Sequence, residues 1–266
     1  MSFEKKGIRN YHTHTTRCLH ATDSDETYVK TAIQQGFKTL GFSDHTPLPY
    51  TDGYVSRIRM PLGQLPEYVS SIRSLQEKYQ DQIEILLGLE CEPLHQYLSW
   101  YGEIREQYHL DYLILGNHVS EAHEHGHFFQ ASKTPDELKR YTDMTLEGME
   151  SGLFAYLCHP EVAWSNYPVF DTACLQMAET ICRRAKELNM PLEYNLQGNY
   201  YRENGNYHGI GYPCDDFWKV AAGYQNLAIV GIDAHHANML EWTDRFTAAQ
   251  EHLKGMGLTV LDTLPV

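Results

Sequence analysis

With 266 residues and a 42% hydrophobic fraction, the chain has room for one large α/β barrel or two small domains and is too apolar for disorder. Its formal net charge of -14, from 21 basic and 35 acidic residues, repels polyphosphate backbones and argues against general nucleic-acid binding. No apolar run approaches the roughly 18 residues that span a membrane, Met1 to Lys5 show no signal-peptide pattern, and six cysteines without a CxxC pair read as reduced, buried thiols of a cytoplasmic protein.

Seven strand-like runs alternate with helical stretches, the order that parallel βα units produce. They are Ile8–His12, Leu40–Ser43, Glu84–Leu89, Tyr112–Leu115, Leu153–Cys158, Leu192–Asn195 and Ala228–Ile232. Between the first two, Asp23-x-x-Glu26 has the form of a capping box and Gly36 ends the helix. The long stretch from Thr46 to Pro61, with Pro47, Pro49, Gly53 and Pro61, predicts a lid or substrate wall. After the fourth run, Glu121 to His127 carries three histidines, read as a solvated loop. Thr134-Pro135-Asp136-Glu137 then supplies a cap, a first-turn proline and an acid for a helix that stops by Gly152. Asp171 to Asn189 is one amphipathic helix halted before Pro191. No linker or repeat interrupts the alternation, so residues 1–266 are expected to form a single domain. Seven units predict a barrel that is distorted or partly open, since such barrels usually have eight strands.

Seven of the 15 histidines fall just past these runs: His12, His14, His20, His45, His118, His159 and His235. Glu90 and Asp233 end or follow two of the same runs. A barrel brings the C-terminal ends of distant strands to one face, and imidazole with carboxylate suits zinc, iron and manganese alike. Ordinary core histidines would scatter over helices too, so the pattern reads as a metal centre. Cys18 and Cys91 lie near these motifs, but buried thiols are the commoner reading.

The motifs and their order, Tyr-His-Thr-His-Thr-Thr-Arg-Cys-Leu-His-Ala (11–21), Gly-Phe-Ser-Asp-His (41–45), Gly-Leu-Glu (88–90), Gly-Asn-His (116–118), Cys-His-Pro (158–160), Glu-Tyr-Asn (193–195) and Gly-Ile-Asp-Ala-His (231–235), resemble the polymerase-and-histidinol-phosphatase (PHP) superfamily. Within it the chain is similar to the monofunctional bacterial histidinol-phosphate phosphatases. The resemblance spans nearly the whole chain and implies a distorted (β/α)7 TIM-like barrel holding two to three divalent ions of Zn, Fe or Mn. It implies one metal on His12, His14, Glu90 and Asp233, a second on His20, His45 and His235, and a third on Glu90, His118 and His159, with Glu90 bridging. It further implies a phosphoric monoester hydrolase that cleaves L-histidinol phosphate, in histidine biosynthesis, through a metal-bridging hydroxide.

Such chemistry also needs a phosphate clamp and a proton for the leaving alkoxide. Arg17, tethered in the metal loop, is the candidate clamp. Asp44, beside His45, is the candidate general acid, with support of a ligand histidine as its other reading. Asn195 and Arg202, beyond the sixth run, are substrate-binding candidates. Glu92 and Glu161 are candidates for a substrate ammonium or imidazole, and Tyr200, Tyr201 and Tyr207 for an aromatic wall. Two rival readings stand: a PHP phosphoesterase for a nucleotide, sugar phosphate or phosphotyrosine, and a non-catalytic metal-binding module. Oligomeric state has no signature in the sequence.

Overall fold

The computed structural model describes residues 7–123 and 125–264; the segment Met1 to Lys5 and Glu124 of the histidine-rich loop lie outside the described residues. The described residues form seven short strands and eight α-helices, in the order β1 (Arg9–Asn10), α1 (Asp25–Gln34), β2 (Thr39–His45), α2 (Leu65–Tyr79), β3 (Glu84–Cys91), α3 (Leu98–Gln107), β4 (Tyr112–Leu115), α4 (Pro135–Glu150), α5 (Thr172–Leu188), β5 (Leu192–Asn195), α6 (Leu196–Glu203), α7 (Asp215–Gly223), β6 (Leu227–Gly231), α8 (Thr243–Gly255) and β7 (Thr259–Val260). β2, β4 and β5 are buried at every residue, as expected of parallel strands covered on both faces.

The strands form two parallel sheets, β1-β2-β3-β4 and β5-β6-β7. The expected strand Leu153–Cys158 lies between them but is not a regular strand. It is extended and bonded to both sides, yet only Leu157 makes a bridge, to Leu115 and to Leu192. Gly152, at φ +71°, turns the chain in just before it, and His159, at φ +31°, turns it out just after, so the ladder stays one residue deep. Thr13 bridges Ala234 at the C-terminal ends of the first and last ring members, and the ring closes there. At the opposite end of β6 its neighbour is β7, a strand absent from the sequence expectation. The result is a distorted (β/α)7 barrel joined at its C-terminal rim.

Helix punctuation follows the sequence with one correction. The Thr134/Glu137 capping box and Asp171 cap are present, but Ser24, not Asp23, caps α1 by accepting from Thr27 N. Asp23 instead accepts from Ala237 N at 3.0 Å, linking the first metal loop to the segment after β6. The large apolar core lies between sheet and helices; a smaller one, with Tyr11, Tyr112, Ile114 and Tyr156, fills the barrel interior. Among the described residues no helix is long and apolar enough to cross a membrane.

Candidate metal centre

The C-terminal rim brings all nine expected ligands together. In an extended segment successive side chains alternate, so His12 and His14 share the inward face beyond β1, and their Nε2 atoms lie 3.2 Å apart. His12 Nε2 is 3.6 Å from Glu90 Oε2 and 3.4 Å from Asp233 Oδ1; His14 Nε2 is 3.5 Å and 3.2 Å from the same two atoms. Four ligands about 2.0–2.1 Å from a tetrahedral ion stand about 3.3–3.4 Å from one another. The measured edges fit that figure. Glu90 Oε1 turns the other way, 3.4 Å from His118 Nε2 and 3.1 Å from His159 Nε2, which are themselves 3.2 Å apart. One carboxylate thus divides its oxygens between two donor sets. His45 Nδ1 joins Glu90 Oε2 at 3.0 Å, and the His20 ring lies 5.4 Å from that of His45 and 4.7 Å from that of His235.

Several donor atoms here have no hydrogen-bond partner in the polypeptide although they are buried: Glu90 Oε2, Asp233 Oδ1 and His235 Nε2. Leaving such atoms unpaired is costly, and cations are what this donor set suits. Space for it is made by missing side chains. A Cβ on Gly116 would lie 2.1 Å from Glu90 Oε1, and one on Gly231 would lie 1.8 Å from Glu193 Oε1. Asp233 and His159 take positive φ, +56° and +31°, a conformation residues other than glycine rarely adopt and one that gathers at functional sites.

The protein's own charges sort the imidazoles. Burial disfavours a cationic ring throughout, but at His12 the carboxylates of Asp233, Glu193 and Glu90 outweigh it and hold the pKa well above the ordinary value. At His14 burial is outweighed by Asp233, Asp44 and Glu90, and the pKa is raised to about 9. His45 and His235, where burial is joined by repulsion from His14, fall well below. Glu90 and Asp233 are held far below the usual carboxylate range: burial opposes this, and the surrounding histidines prevail.

Behind the ring stands a layer of polar side chains that the sequence reading assigned elsewhere. Glu92, expected to meet substrate, accepts from His118 Nδ1 at 2.9 Å and His118 N at 2.7 Å and pairs with the buried Arg59 at 3.3 Å. Asn195 donates to Glu193 at 3.1 Å and Asp233 at 3.0 Å, and its oxygen caps α6. Glu161 is fully buried, accepts from Trp218 Nε1 at 2.8 Å and Cys214 N at 3.2 Å, and burial pushes its carboxyl up to about 8. Arg202 donates to Pro213 O, away from the cleft. Each was a substrate-binding candidate, and each is directed at protein.

The two catalytic candidates, Arg17 and Asp44, are not among the residues that line the cleft. Arg17 spends all five N–H donors on Asp25, Glu67 and Thr15, so no fork remains for phosphate. Asp44, fully buried, accepts from Thr15 Oγ1 and N and from His45 N at 2.8 Å, with His14 Nδ1 3.6 Å away. It faces the ligand loop and does not line the cleft. Its alternative reading, support of a ligand histidine, describes this position.

The cleft over the cluster measures about 330 Å³ and is walled by Ile58, Phe128, Gln130, Gln197, Tyr201, Tyr212 and His236 as well as by eight of the nine, all but His12. Of the three tyrosines expected as an aromatic wall only Tyr201 lines it; Tyr200 stacks on Trp242 at 5.1 Å and Tyr207 packs behind Tyr212 at 5.4 Å. The Thr46–Pro61 loop does contribute a wall, through Ile58. Of the three loop histidines, His123 pairs with Asp52 at 2.7 Å and His127 bonds Ser132 at 3.1 Å. Sequence reasoning missed Glu193, 2.8 Å from His12 Nδ1, and Cys158, whose thiol donates to Leu115 O at 2.8 Å and stands 3.3 Å from Glu90 Oε1. Strand alternation signalled Glu193, two residues before Asn195 on the same face. Cys18 and Cys91 are buried, free thiols.

The family model of the PHP domain matches residues 10–197. The chain belongs to the PHP domain family. Over 265 residues, 94% of either chain, it is 26% identical to a protein of Deinococcus radiodurans named probable histidinol-phosphatase. It is also 31% identical over 93 residues to the histidinol-phosphatase of Bacillus subtilis, covering 34% of this chain and 35% of that one. In fold it is similar to a crystal structure of histidinol phosphate phosphatase from Lactococcus lactis complexed with Zn, L-histidinol and phosphate, with a TM-score of 0.73, 19% identity, and 96% and 95% of the two chains covered.

Proposed function

We propose that the chain is a metal-dependent phosphomonoesterase that hydrolyses L-histidinol phosphate to L-histidinol and phosphate. The observation that carries this reading is Glu90, whose two oxygens face two separate sets of ligand-type atoms at the floor of one cleft. Full-length similarity to a probable histidinol-phosphatase supports the substrate, as does the histidinol and phosphate held by the relative of the same fold. His12, His14, Glu90 and Asp233 would hold one ion and Glu90, His118 and His159 another, with His20, His45 and His235 at a third position. Divalent ions so held supply positive charge against the phosphate dianion and lower the pKa of a coordinated water.

The polypeptide's contribution is orientation. Glu193 and Glu92 take the Nδ1 atoms of His12 and His118, which leaves each Nε2 directed at the cluster. Asn195 fixes Asp233 in the same way. Phe128, Tyr201 and Tyr212 line the cleft and would offer aromatic contact to the imidazole of histidinol. We further assign residues 1–266 to one catalytic domain, exclude nucleic acid as substrate on the strength of the -14 charge, and place the protein in the cytoplasm, where six free thiols are stable.

One observation favours a second reading. Glu92 and Glu161, the expected partners of the substrate ammonium, are turned into the protein, and a phosphate ester without an amine would not need them. A panel of histidinol phosphate, a nucleotide monophosphate and p-nitrophenyl phosphate, run on protein with measured metal content, separates the two. The proposal expects the highest kcat/KM on histidinol phosphate; preference for a nucleotide would move the assignment to another phosphoesterase, and inertness on all three with metals in place would leave a metal-binding module.

A further inference from the structure

Among the described residues that line the cleft there is no lysine and no arginine, and Arg17 is consumed by Asp25, Glu67 and Thr15. Phosphate oxygens entering such a cleft need neutral donors close to the metal cluster. Gln197 is the side chain so placed. It sits in the first turn of α6, directly beyond β5, is 9% exposed, and places its amide nitrogen Nε2 2.8 Å from His235 Nδ1.

The tautomer of His235 decides which amide atom makes that contact. His235 Nε2 is buried, has no hydrogen-bond partner in the polypeptide, and lies in a ring set between His14 at 4.2 Å and His20 at 4.7 Å. A neutral imidazole with a lone pair on Nε2 for a metal carries its hydrogen on Nδ1. Nδ1 then donates. Its acceptors within reach are the Asp233 carbonyl at 3.1 Å and Gln197. An amide accepts only through its oxygen, and hydrogen-bond chemistry assigns its two terminal atoms. An Nδ1–H facing the amide nitrogen would set donor against donor, so the amide is turned over: Oε1 takes the place of Nε2 on the imidazole, and the NH2 of this cleft-lining side chain is left for a ligand.

We propose that Gln197 binds the substrate phosphate: its carbonyl accepts from His235 Nδ1 while its NH2 donates to a phosphoryl oxygen, in a cleft that lacks a cationic clamp. This rests on the phosphomonoesterase reading above, but not on histidinol as the leaving group. The test is calorimetric titration of metal-loaded protein with inorganic phosphate, with metal content measured by elemental analysis. Gln197→Glu keeps an acceptor for His235 and replaces the donor by an anion. It should retain the parent's metal content and bind phosphate at least 30-fold more weakly, since a hydrogen bond to a charged group contributes about tenfold to 100-fold and the new charge repels the ligand. Gln197→Met loses acceptor and donor together; it should weaken phosphate about tenfold and also lose metal more readily to a chelator.

Phosphate affinity within twofold of the parent in either variant, with metals in place, overturns the proposal, and loss of metal in Gln197→Glu overturns the His235 contact. A parent whose phosphate binding depends on Gln197 yet which ignores histidinol phosphate would keep this inference and dismiss the substrate. A parent that turns over histidinol phosphate while Gln197→Glu does so with unchanged KM would do the reverse. Metal-loaded parent without measurable phosphate binding would sink both.

Discussion

The floor of the cleft and the layer just behind it both carry buried carboxylates, yet their polar atoms are in opposite states. On the floor, Glu90 Oε2, Asp233 Oδ1 and His235 Nε2 are buried and unpaired, crowded against other lone-pair donors. One layer back, Arg17, Asp44, Glu92, Glu193 and Asn195 are equally buried and have protein partners for their functional groups. Glu90 and Glu92 leave the same edge of β3 two residues apart and fall on opposite sides of this division. Unpaired and convergent atoms mark what a cation must complete; saturated atoms mark what keeps the convergent ones from relaxing. Chemistry should therefore be lost abruptly on the floor and by degrees in the layer behind it.

The largest effect is expected at Glu90. Glu90→Gln removes a negative charge shared by two donor sets, and an amide presents only one oxygen to them. Metal-borne charge stabilisation contributes several kcal/mol, so turnover should fall roughly 10³-fold, further than in His12→Ala or His159→Ala. Steady-state kinetics beside elemental analysis checks this. A Glu90→Gln protein with near-parental turnover would place the shared carboxylate elsewhere.

Glu193→Gln and Glu92→Gln probe the layer behind. Each keeps shape but weakens the acceptor of a ligand imidazole, at His12 and His118 respectively. Losses of about 10–100-fold in metal affinity are typical of such partners, while kcat at saturating metal should change far less than in Glu90→Gln. Competition with a chelator of known affinity gives the first number. If kcat collapses in Glu193→Gln with metals fully loaded, the division between floor and support is drawn in the wrong place.

This division also explains what could be read in the sequence. The periodic run-then-histidine pattern located the seven parallel segments and the nine floor residues, because strand ends of a barrel share a face and alternation fixes which side chains turn inward. Direction beyond that is set by partners distant in sequence. Arg17 meets Asp25 and Glu67, 8 and 50 residues away; Glu92 meets His118 and Arg59; none of these pairings leaves a periodic trace. Leu153–Cys158 has the composition of a strand, yet its ladder depends on Gly152 and His159 at its ends. β7, two residues long and beyond the last motif, carried no signal at all.

Asp44→Asn sharpens the comparison further. As a general acid Asp44 would matter for alkoxide leaving groups and not for p-nitrophenolate. Behind the cleft, holding His45 N, Thr15 and the His14 ring, it acts only through the ligand loop. Rates on histidinol phosphate and p-nitrophenyl phosphate should then fall together, by about tenfold, as for other supporting partners of a metal site. A loss confined to histidinol phosphate, with metals intact, would restore Asp44 to the reaction.

The smallest catalytic effect, and the clearest change in stability, is expected at Arg17. Its guanidinium pairs with Asp25 at 2.9 Å in a buried setting and with Glu67 at 2.7 Å, where Glu67 is 60% exposed. Removing one member of a buried pair leaves the other charge without compensation, a loss of about 3–5 kcal/mol for fully buried partners; the exposed Glu67 can return to water, so the lower figure applies. At about 2–4 °C per kcal/mol for a chain of this size, Arg17→Ala should lower Tm by roughly 6–12 °C. A phosphate clamp would instead raise KM and weaken inorganic phosphate while leaving Tm almost unchanged. Arg17→Ala measured well below its Tm should bind phosphate within about threefold of the parent, because the arginine touches the floor only through Thr15 and the turn that carries His14 and His20. The double variant Arg17→Ala with Asp25→Asn removes both charges and should recover part of the lost Tm, as paired deletions do when the penalty lies in the orphaned partner. A tenfold or greater loss of phosphate affinity without a fall in Tm would return Arg17 to the floor of the cleft.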